Sequence, residues 1–163
     1  SPKIHIAISP TKNKNRFEWF LEKATEIGVD EISLLICQNS ERKTINEERC
    51  AKILIAAMKQ AQNSILPKLN KLIMFSDFFK KRKKNIYIAH CDNTQKIDFK
   101  TILLENKNKN EHITILIGPE GDFTTQEIML SEKMGAKSIN LSDKRLRTET
   151  AAIIASSIAQ TIL

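Results

Sequence analysis

Between Ile113 and Phe123 the chain reads Ile-Thr-Ile-Leu-Ile-Gly-Pro-Glu-Gly-Asp-Phe, a short apolar, β-branched run that breaks at Gly118-Pro119. A run of that kind fits a buried strand, and the Gly-Pro pair releases the backbone into a tight loop. Thr124-Thr-Gln-Glu127 follows with the spacing of a capping box, so a helix is predicted to start at once. Strand, glycine-containing loop and helix N-terminus in that order uncover loop amides beside the positive end of a helix dipole. α/β proteins use this arrangement to hold nucleotides. The two glycines around Pro-Glu match neither the dinucleotide fingerprint nor the phosphate loop, which needs Gly-Lys-Ser/Thr. Taken alone, the stretch is as well explained by an ordinary strand-turn-helix connection.

A second stretch, Leu141-Ser-Asp-Lys-Arg-Leu-Arg-Thr-Glu-Thr-Ala151, adds to it. Lys137 to Leu141 alternates as a short strand, and a polar, basic loop follows. Thr148 is expected to cap a helix running from Glu149 to Leu163. That helix is rich in Ala, Ile and Ser, carries no charge after Glu149, and is expected to be buried on most sides. Lys144, Arg145, Arg147 and Glu149 therefore gather at the mouth of an apolar element, where burial costs free energy unless the groups are paired or used. The two readings are a structural Arg147–Glu149 ion pair and a functional cluster.

Together, Ile117-Gly-Pro-Glu-Gly121 and Leu146-Arg-Thr-Glu-Thr-Ala151 resemble the RsmE family, the 16S ribosomal RNA uridine-N3 methyltransferases of the SPOUT superfamily. The resemblance extends over nearly the whole chain. Arg16-Phe-Glu-Trp-Phe-Leu-Glu-Lys-Ala-Thr-Glu-Ile-Gly28 is similar to the family's first helix, and Met58-Lys-Gln60 with Pro67 to its central segment. The resemblance implies S-adenosylmethionine as methyl donor, 16S ribosomal RNA of the small subunit as substrate, a homodimer, and a cytoplasmic location. It also implies a deep trefoil knot over about residues 113–163, an arrangement rare among folds. Family members usually carry a small β-barrel RNA-binding domain before the catalytic one. Nothing here corresponds to it, so the chain is expected to be part of a longer protein and, isolated, to bind the donor but RNA poorly.

Composition is compatible with these expectations without demanding them. The 163 residues suit one domain with a proper core, and 41% hydrophobic with 28% charged content is globular. No apolar run reaches the ~18 residues of a membrane span, and no signal-peptide core opens the chain. Cys37, Cys50 and Cys91 are far apart and read as reduced thiols, while His5, His90 and His112 lack metal-ligand spacing. The net charge of +7 suits a polyanionic partner. Lys, Asn and Ile are abundant throughout, however, so charge alone does not identify that partner.

Periodicity outlines the rest. Lys3 to Ile8 reads as a strand, followed by a basic loop to Asn15. Phe17, Phe20, Leu21, Ala24 and Ile27 mark one helix face, with Gly28 as its stop. Glu31 to Cys37 is a second strand, and Gln38 to Asn46 a polar connection. Asn46 is expected to cap a helix to about Gln62 with Glu47 and Glu48 in its first turn. Leu69 to Phe79 is compatible with a short strand or a short helix. Lys80-Lys-Arg-Lys-Lys84 reads as a solvated basic turn, with an RNA clamp as the alternative. Ile86 to His90 is a strand with Cys91-Asp92 at its C-terminal end, where α/β crevices form. Glu105 to Glu111 is a Lys/Asn-rich loop. Alternating strands and helices predict an α/β fold with a mostly parallel sheet and helices on both faces, residues 1–163 forming one domain.

Methyl transfer to a ring nitrogen is an in-line displacement, so donor and acceptor must be held about 3–3.5 Å apart. Uridine N3 lies on the Watson–Crick edge and carries a proton. The base must therefore be unpaired, lose that proton, and have its developing negative charge stabilised. The resemblance implies donor binding around Leu116, Gly118, Glu120, Gly121, Leu141, Leu146 and Thr148, with small residues at Gly118 and Gly121 allowing close backbone approach. Plain core packing also accounts for the three leucines. Arg147 is the favoured catalytic side chain, with Glu149 or Glu120 as proton acceptor or as a group that fixes Arg147. Arg16, Lys23 and Gln60 match family positions for contact with RNA or a partner subunit, although helix-surface charge explains them equally. Two departures from the family pattern stand at Ser142, where Gly is common, and Asn63, where Arg is frequent.

Competing readings are a related knotted methyltransferase for another RNA nucleotide and a non-catalytic RNA-binding protein that retains the fold. A nucleotide-phosphate hydrolase lacks the necessary Lys and Ser/Thr.

Overall fold

The computed structural model describes residues 2–81, 84–107 and 111–163. The basic run Lys80–Lys84 and the segment Glu105–Glu111 fall partly outside the described residues, at 82–83 and 108–110; Glu105 and Asn106, expected in a loop, instead close the helix that starts at Phe99. In chain order the elements are β1 (Ile4–Ile8), α1 (Lys14–Ile27), β2 (Glu31–Ile36), α2 (Glu47–Gln60), β3 (Lys68–Met74), α3 (Phe75–Phe78) and β4 (Ile86–Ala89). Then come β5 (Ile97–Asp98), α4 (Phe99–Asn106), β6 (Ile113–Ile117), α5 (Thr125–Lys133), β7 (Lys137–Asn140) and α6 (Thr148–Ile162).

The strands form one seven-stranded sheet in the order β3-β2-β1-β6-β4-β7-β5, with every pairing parallel. β1 and β6 are buried along their whole length, as parallel strands covered on both faces must be. Alternate residues supply two cores. Ile4, Ile6, Ile8, Ile113, Ile115 and Ile117 pack with α1, α2, α4 and α6, while Ala7, Leu35, Ile88 and Leu116 pack with α3 and α5. Each fully buried Ile or Leu contributes about 1.5–3 kcal/mol relative to exposure, so the apolar strands dictate the layered fold.

Helix ends follow local chemistry. Asn13 and Asn46 cap α1 and α2, accepting from Arg16 N–H and Arg49 N–H. Gly28 ends α1 at φ 102°, and Thr124 and Glu127 form both halves of a capping box on α5. Leu69 to Phe79 holds both expected forms, a strand to Met74 and then one helical turn.

Two expectations for α6 are corrected. Thr148 is the helix's first residue and not its cap; Arg147 takes the N-cap position without a side-chain bond, because the Thr148 hydroxyl is engaged elsewhere. The helix is also buried along one face only. Ala152, Ala155, Ser156, Ala159 and Ile162 pack inward, whereas Ile153, Ile154 and Ile158 are half-buried and Ser157, Gln160 and Thr161 exposed. Ile153 and Ile158 still pack against the core from the side, so the fully exposed strip is the polar one of Ser157, Gln160 and Thr161. No helix among the described residues is long and apolar enough to cross a membrane.

Candidate functional site

β6, β4 and β7 lie side by side and point the same way, so their C-terminal ends open onto one crevice, the usual place for a ligand in an open α/β sheet. A cavity of about 330 Å³ occupies it. Its walls are the ends of the three strands with their following loops, Ala89–Cys91, Ile117–Glu120 and Ile139–Ser142, closed by Lys144–Thr148, Asp122 and Ala151. Two segments far apart in sequence, 117–120 and 141–148, thus become facing walls.

Their connection is direct. Thr148 Oγ1 donates to the Gly118 carbonyl at 2.9 Å in a buried setting, fixing the start of α6 against the end of β6. The glycines serve the loop's internal packing. A Cβ on Gly118 would come within 3.0 Å of the Phe123 ring, and one on Gly121 within 3.1 Å of Asn39 Cβ. Asn39 Nδ2 in turn donates to the Gly121 and Asp122 carbonyls, both at 3.1 Å. Glu120 Oε1 accepts from the Lys12 N–H at 2.9 Å, and Arg42 donates to the Thr11 and Lys12 carbonyls. The loop after β6 is consequently tied to the loops after β1 and β2.

On the opposite wall, Cys91 N–H donates to Asp122 Oδ2 at 2.8 Å. His90 is buried; its Nδ1 accepts from Asp92 N–H at 3.2 Å, so the neutral ring keeps its proton on Nε2, which faces Ser138 Oγ at 2.9 Å. Burial, and secondarily the charge of Lys96, hold His90 below the usual imidazole range, which favours that neutral state. Ser142 Oγ accepts from Lys144 N–H at 3.1 Å, so its side chain braces the loop that forms the rim.

Of the residues singled out from sequence, Gly118, Glu120, Leu141, Leu146, Arg147 and Thr148 line the cavity. Leu116 lies in the α3/α5 core at 0% exposure, and Gly121 packs on Asn39 outside the lining. Arg147 is exposed at the rim with Lys144 and Arg145. Glu149 is 6% exposed, lies behind the lining, and its Oε2 has no hydrogen-bond partner. No Arg147–Glu149 ion pair forms among the described residues.

Arg16 and Lys23 lie on α1 and Gln60 ends α2, away from the cavity lining. Lys23 and Gln60 border a separate groove between the two helices with Ile53 and Ala57. Lys23 Nζ sits 3.2 Å from Glu22 and 3.4 Å from Glu26, so its charge is locally matched. Asn63 is structural in its bonding, accepting from Ile65 N–H and donating to the Thr25 carbonyl. His90, Asp122 and Asn140 line the cavity without having been singled out as site residues. The signal for His90 and Cys91 was their place at the end of a strand; what sequence did not show was that β4 sits between β6 and β7. No group of three or more His, Cys, Asp or Glu side chains among the described residues is arranged to hold a metal, and the three cysteines are free.

Comparison with known proteins gives consistent findings. The model of the RNA methyltransferase domain matches residues 1–160. The ribosomal RNA small subunit methyltransferase E of Rickettsia conorii is 34% identical over 136 residues, covering 83% of this chain and 55% of that protein. A structure described as a probable rRNA-methyltransferase from Porphyromonas gingivalis superposes with a TM-score of 0.87 at 34% identity, covering 99% of this chain and 68% of that one. A protein of Legionella pneumophila, described as a methyltransferase in complex with the bound cofactor SAM, gives 0.84 at 28% identity, covering 98% and 66%. The chain spans 55% to 66% of the length of the first curated relatives it matches.

Proposed function

Because the chain belongs to the RNA methyltransferase domain family, we propose that it is the donor-binding and catalytic domain of an S-adenosylmethionine-dependent enzyme that methylates N3 of a uridine in 16S ribosomal RNA. The observation that carries this reading is the cavity at the ends of β4, β6 and β7, walled by the two signature segments and closed by the Thr148–Gly118 bond. Its size and its mixture of apolar and polar lining residues suit a nucleoside-sized ligand. The SAM bound in the Legionella relative's structure supports the methyl donor as that ligand.

Within this reading, Ile117, Ile139, Leu141, Leu146 and Ala151 supply the apolar surface for the donor, and the backbone of 118–120 and 141–148 its polar partners. Bound there, S-adenosylmethionine supplies an electrophilic methyl group on its sulfonium. Arg147, exposed at the rim, is the cation that meets the uracil ring and stabilises the charge developing on it. Of the two carboxylates, Glu120 lines the cavity and Glu149 does not. Glu120 is therefore assigned as acceptor of the N3 proton. Glu149, buried in the first turn of α6 with one oxygen unpartnered, is assigned to the positive end of that helix, where its charge favours the free amides.

The remaining parts of the proposal rest on the sequence resemblance. A trefoil knot over about residues 113–163 accounts for a donor site built from the last two strand-loop-helix units. A homodimer covering the partly buried Ile154 of α6 together with exposed Trp19 of α1 accounts for apolar surface that one chain leaves accessible. Arg16, Lys23 and Gln60 then lie where RNA or the partner approaches. A ribosomal RNA substrate in turn implies a cytoplasmic enzyme.

Calorimetric titration of S-adenosylmethionine and its demethylated product tests the reading. Saturable binding near one per chain, abolished in Gly118→Val, is expected. A folded protein that binds neither compound would instead be the non-catalytic RNA-binding protein. Detection of 3-methyluridine in 16S ribosomal RNA after incubation of small subunits with enzyme and donor tests the substrate; methylation elsewhere would identify a related knotted enzyme.

A further inference from the structure

Asp122 holds a backbone conformation that side-chain-bearing residues rarely adopt. Its φ is 67°, one of three non-glycine residues with positive φ among those described, and the only one of the three lining the cavity. Asp and Asn tolerate this left-handed region better than other residues because their short polar side chains bond locally. Asp122 does so: Oδ1 accepts from its neighbour's Phe123 N–H at 2.8 Å. Its own N–H closes a tight turn onto the Pro119 carbonyl at 2.8 Å, and its carbonyl accepts from Asn39 Nδ2. Local bonding alone, however, leaves the second carboxylate oxygen unexplained.

That oxygen reaches across the crevice. Oδ2 accepts the Cys91 N–H at 2.8 Å, from the loop after β4, 31 residues away in sequence. Cys91 and its neighbour His90 form one wall of the cavity, and Gly118 to Glu120 form another. A second contact, Thr125 Oγ1 to Asp92 Oδ2, is longer at 3.3 Å. Asp92 N–H also donates to His90 Nδ1 and its carbonyl receives Lys96 Nζ, so the β4 loop is internally braced. The short, charge-assisted bond to Cys91 is therefore the main fastening between the two loops.

We propose that Asp122 is a positioning residue: its carboxylate, presented by a left-handed turn, latches the Cys91 amide and so fixes the spacing of the two loops that wall the cavity. Without the latch the β4 loop is free to swing from the β6 loop, and the cavity must be reassembled each time a ligand enters. The consequence for ligand affinity rests on the donor-binding function proposed above; the latch itself does not.

Glycine and asparagine variants separate backbone from side chain. Asp122→Gly relieves the left-handed turn and removes both carboxylate bonds, whereas Asp122→Asn tolerates the turn and keeps one amide oxygen as acceptor. Hydrogen exchange on the ligand-free protein reads the latch directly. The Cys91 amide is expected to exchange at least about tenfold faster in Asp122→Gly, while the amides of β1 and β6 keep their protection. Thiol labelling gives a second readout, since Cys91 is exposed and Cys37 and Cys50 are buried. Titration with S-adenosylmethionine should show a dissociation constant raised about tenfold or more in Asp122→Gly and partly restored in Asp122→Asn, which keeps one of the two acceptors. Unchanged Cys91 exchange in Asp122→Gly overturns the latch. Faster exchange with unchanged donor affinity overturns its role in positioning the cavity. Failure of the unaltered protein to bind donor, with the exchange result intact, counts against the proposed function and leaves the latch standing.

Discussion

Thr148 Oγ1 and the Gly118 carbonyl oxygen lie 2.9 Å apart, a buried hydrogen bond between the first residue of α6 and the residue that follows β6. It joins the two stretches that a reader of the sequence would set side by side. Thr148→Val keeps the shape and removes the donor, leaving a buried carbonyl without this partner. The expected loss is about 1–3 kcal/mol of stability, visible as a lower urea midpoint. Donor affinity should fall with it, because the same bond closes the cavity.

Gly118→Ala places a methyl group within 3.0 Å of the Phe123 ring. The ring is buried against Phe75, at a centroid separation of 5.4 Å, and has little room to retreat. Overpacking of this sort costs about 1–3 kcal/mol. The larger part of that cost should disappear when Phe123→Leu is already present. A double-mutant cycle on unfolding free energies checks this, and strictly additive effects would show that the ring is not the obstacle.

His90 predicts an acid-side loss of stability. Burial first, then Lys96, lowers its folded pKa from 6.5, so the unfolded chain takes up this proton at a higher pH than the folded one. Between the two pKa values the unfolded state binds more protons and stability increases with pH. On acidification the loss therefore begins near 6.5 and ends once pH falls below the folded value. The drop in urea midpoint from pH 7.5 to 5.5 should be larger for the unaltered protein than for His90→Gln.

Arg147→Ala should leave the fold within about 0.5 kcal/mol of its original stability, because the side chain is exposed. Donor binding by calorimetry should also persist. Methylation of small-subunit RNA should drop by about 10²–10³-fold if the guanidinium stabilises charge on the base. A variant that loses donor binding and methylation in parallel would reassign Arg147 to the donor.

Much of the fold was legible in residue patterns. The β-branched runs at Ile4–Ile8 and Ile113–Ile117, the Asn46 cap and the Thr124/Glu127 box gave the strands and helix starts because those signals are local. The segment after Cys91 was passed over. β5 has only two residues, and α4 is signalled only by the Asp98 cap and the single apolar turn Phe99, Ile102, Leu103. Thr148 was misread because its hydroxyl has a distant acceptor, and a cap and a tertiary bond look alike in sequence. The cavity was half legible. Gly118, Leu146 and Arg147 stood out by motif, but His90 belongs to it only because β4 lies between β6 and β7. No local pattern encodes that order.

The position of β1 bears on how the chain is synthesised. Its partner on one side, β2, is made soon after it, but on the other side Ile4 pairs with Ile113 and His5 with Thr114, 109 residues later. At about 5–20 residues per second of translation, that edge waits on the order of ten seconds for its neighbour. Over that interval a row of isoleucines with unpaired amides is open to any other strand edge. Nascent chains on crowded polysomes therefore face their greatest risk of misassembly before β6 appears, and a chaperone that shields this edge should raise the yield of folded protein more than any improvement to the finished core.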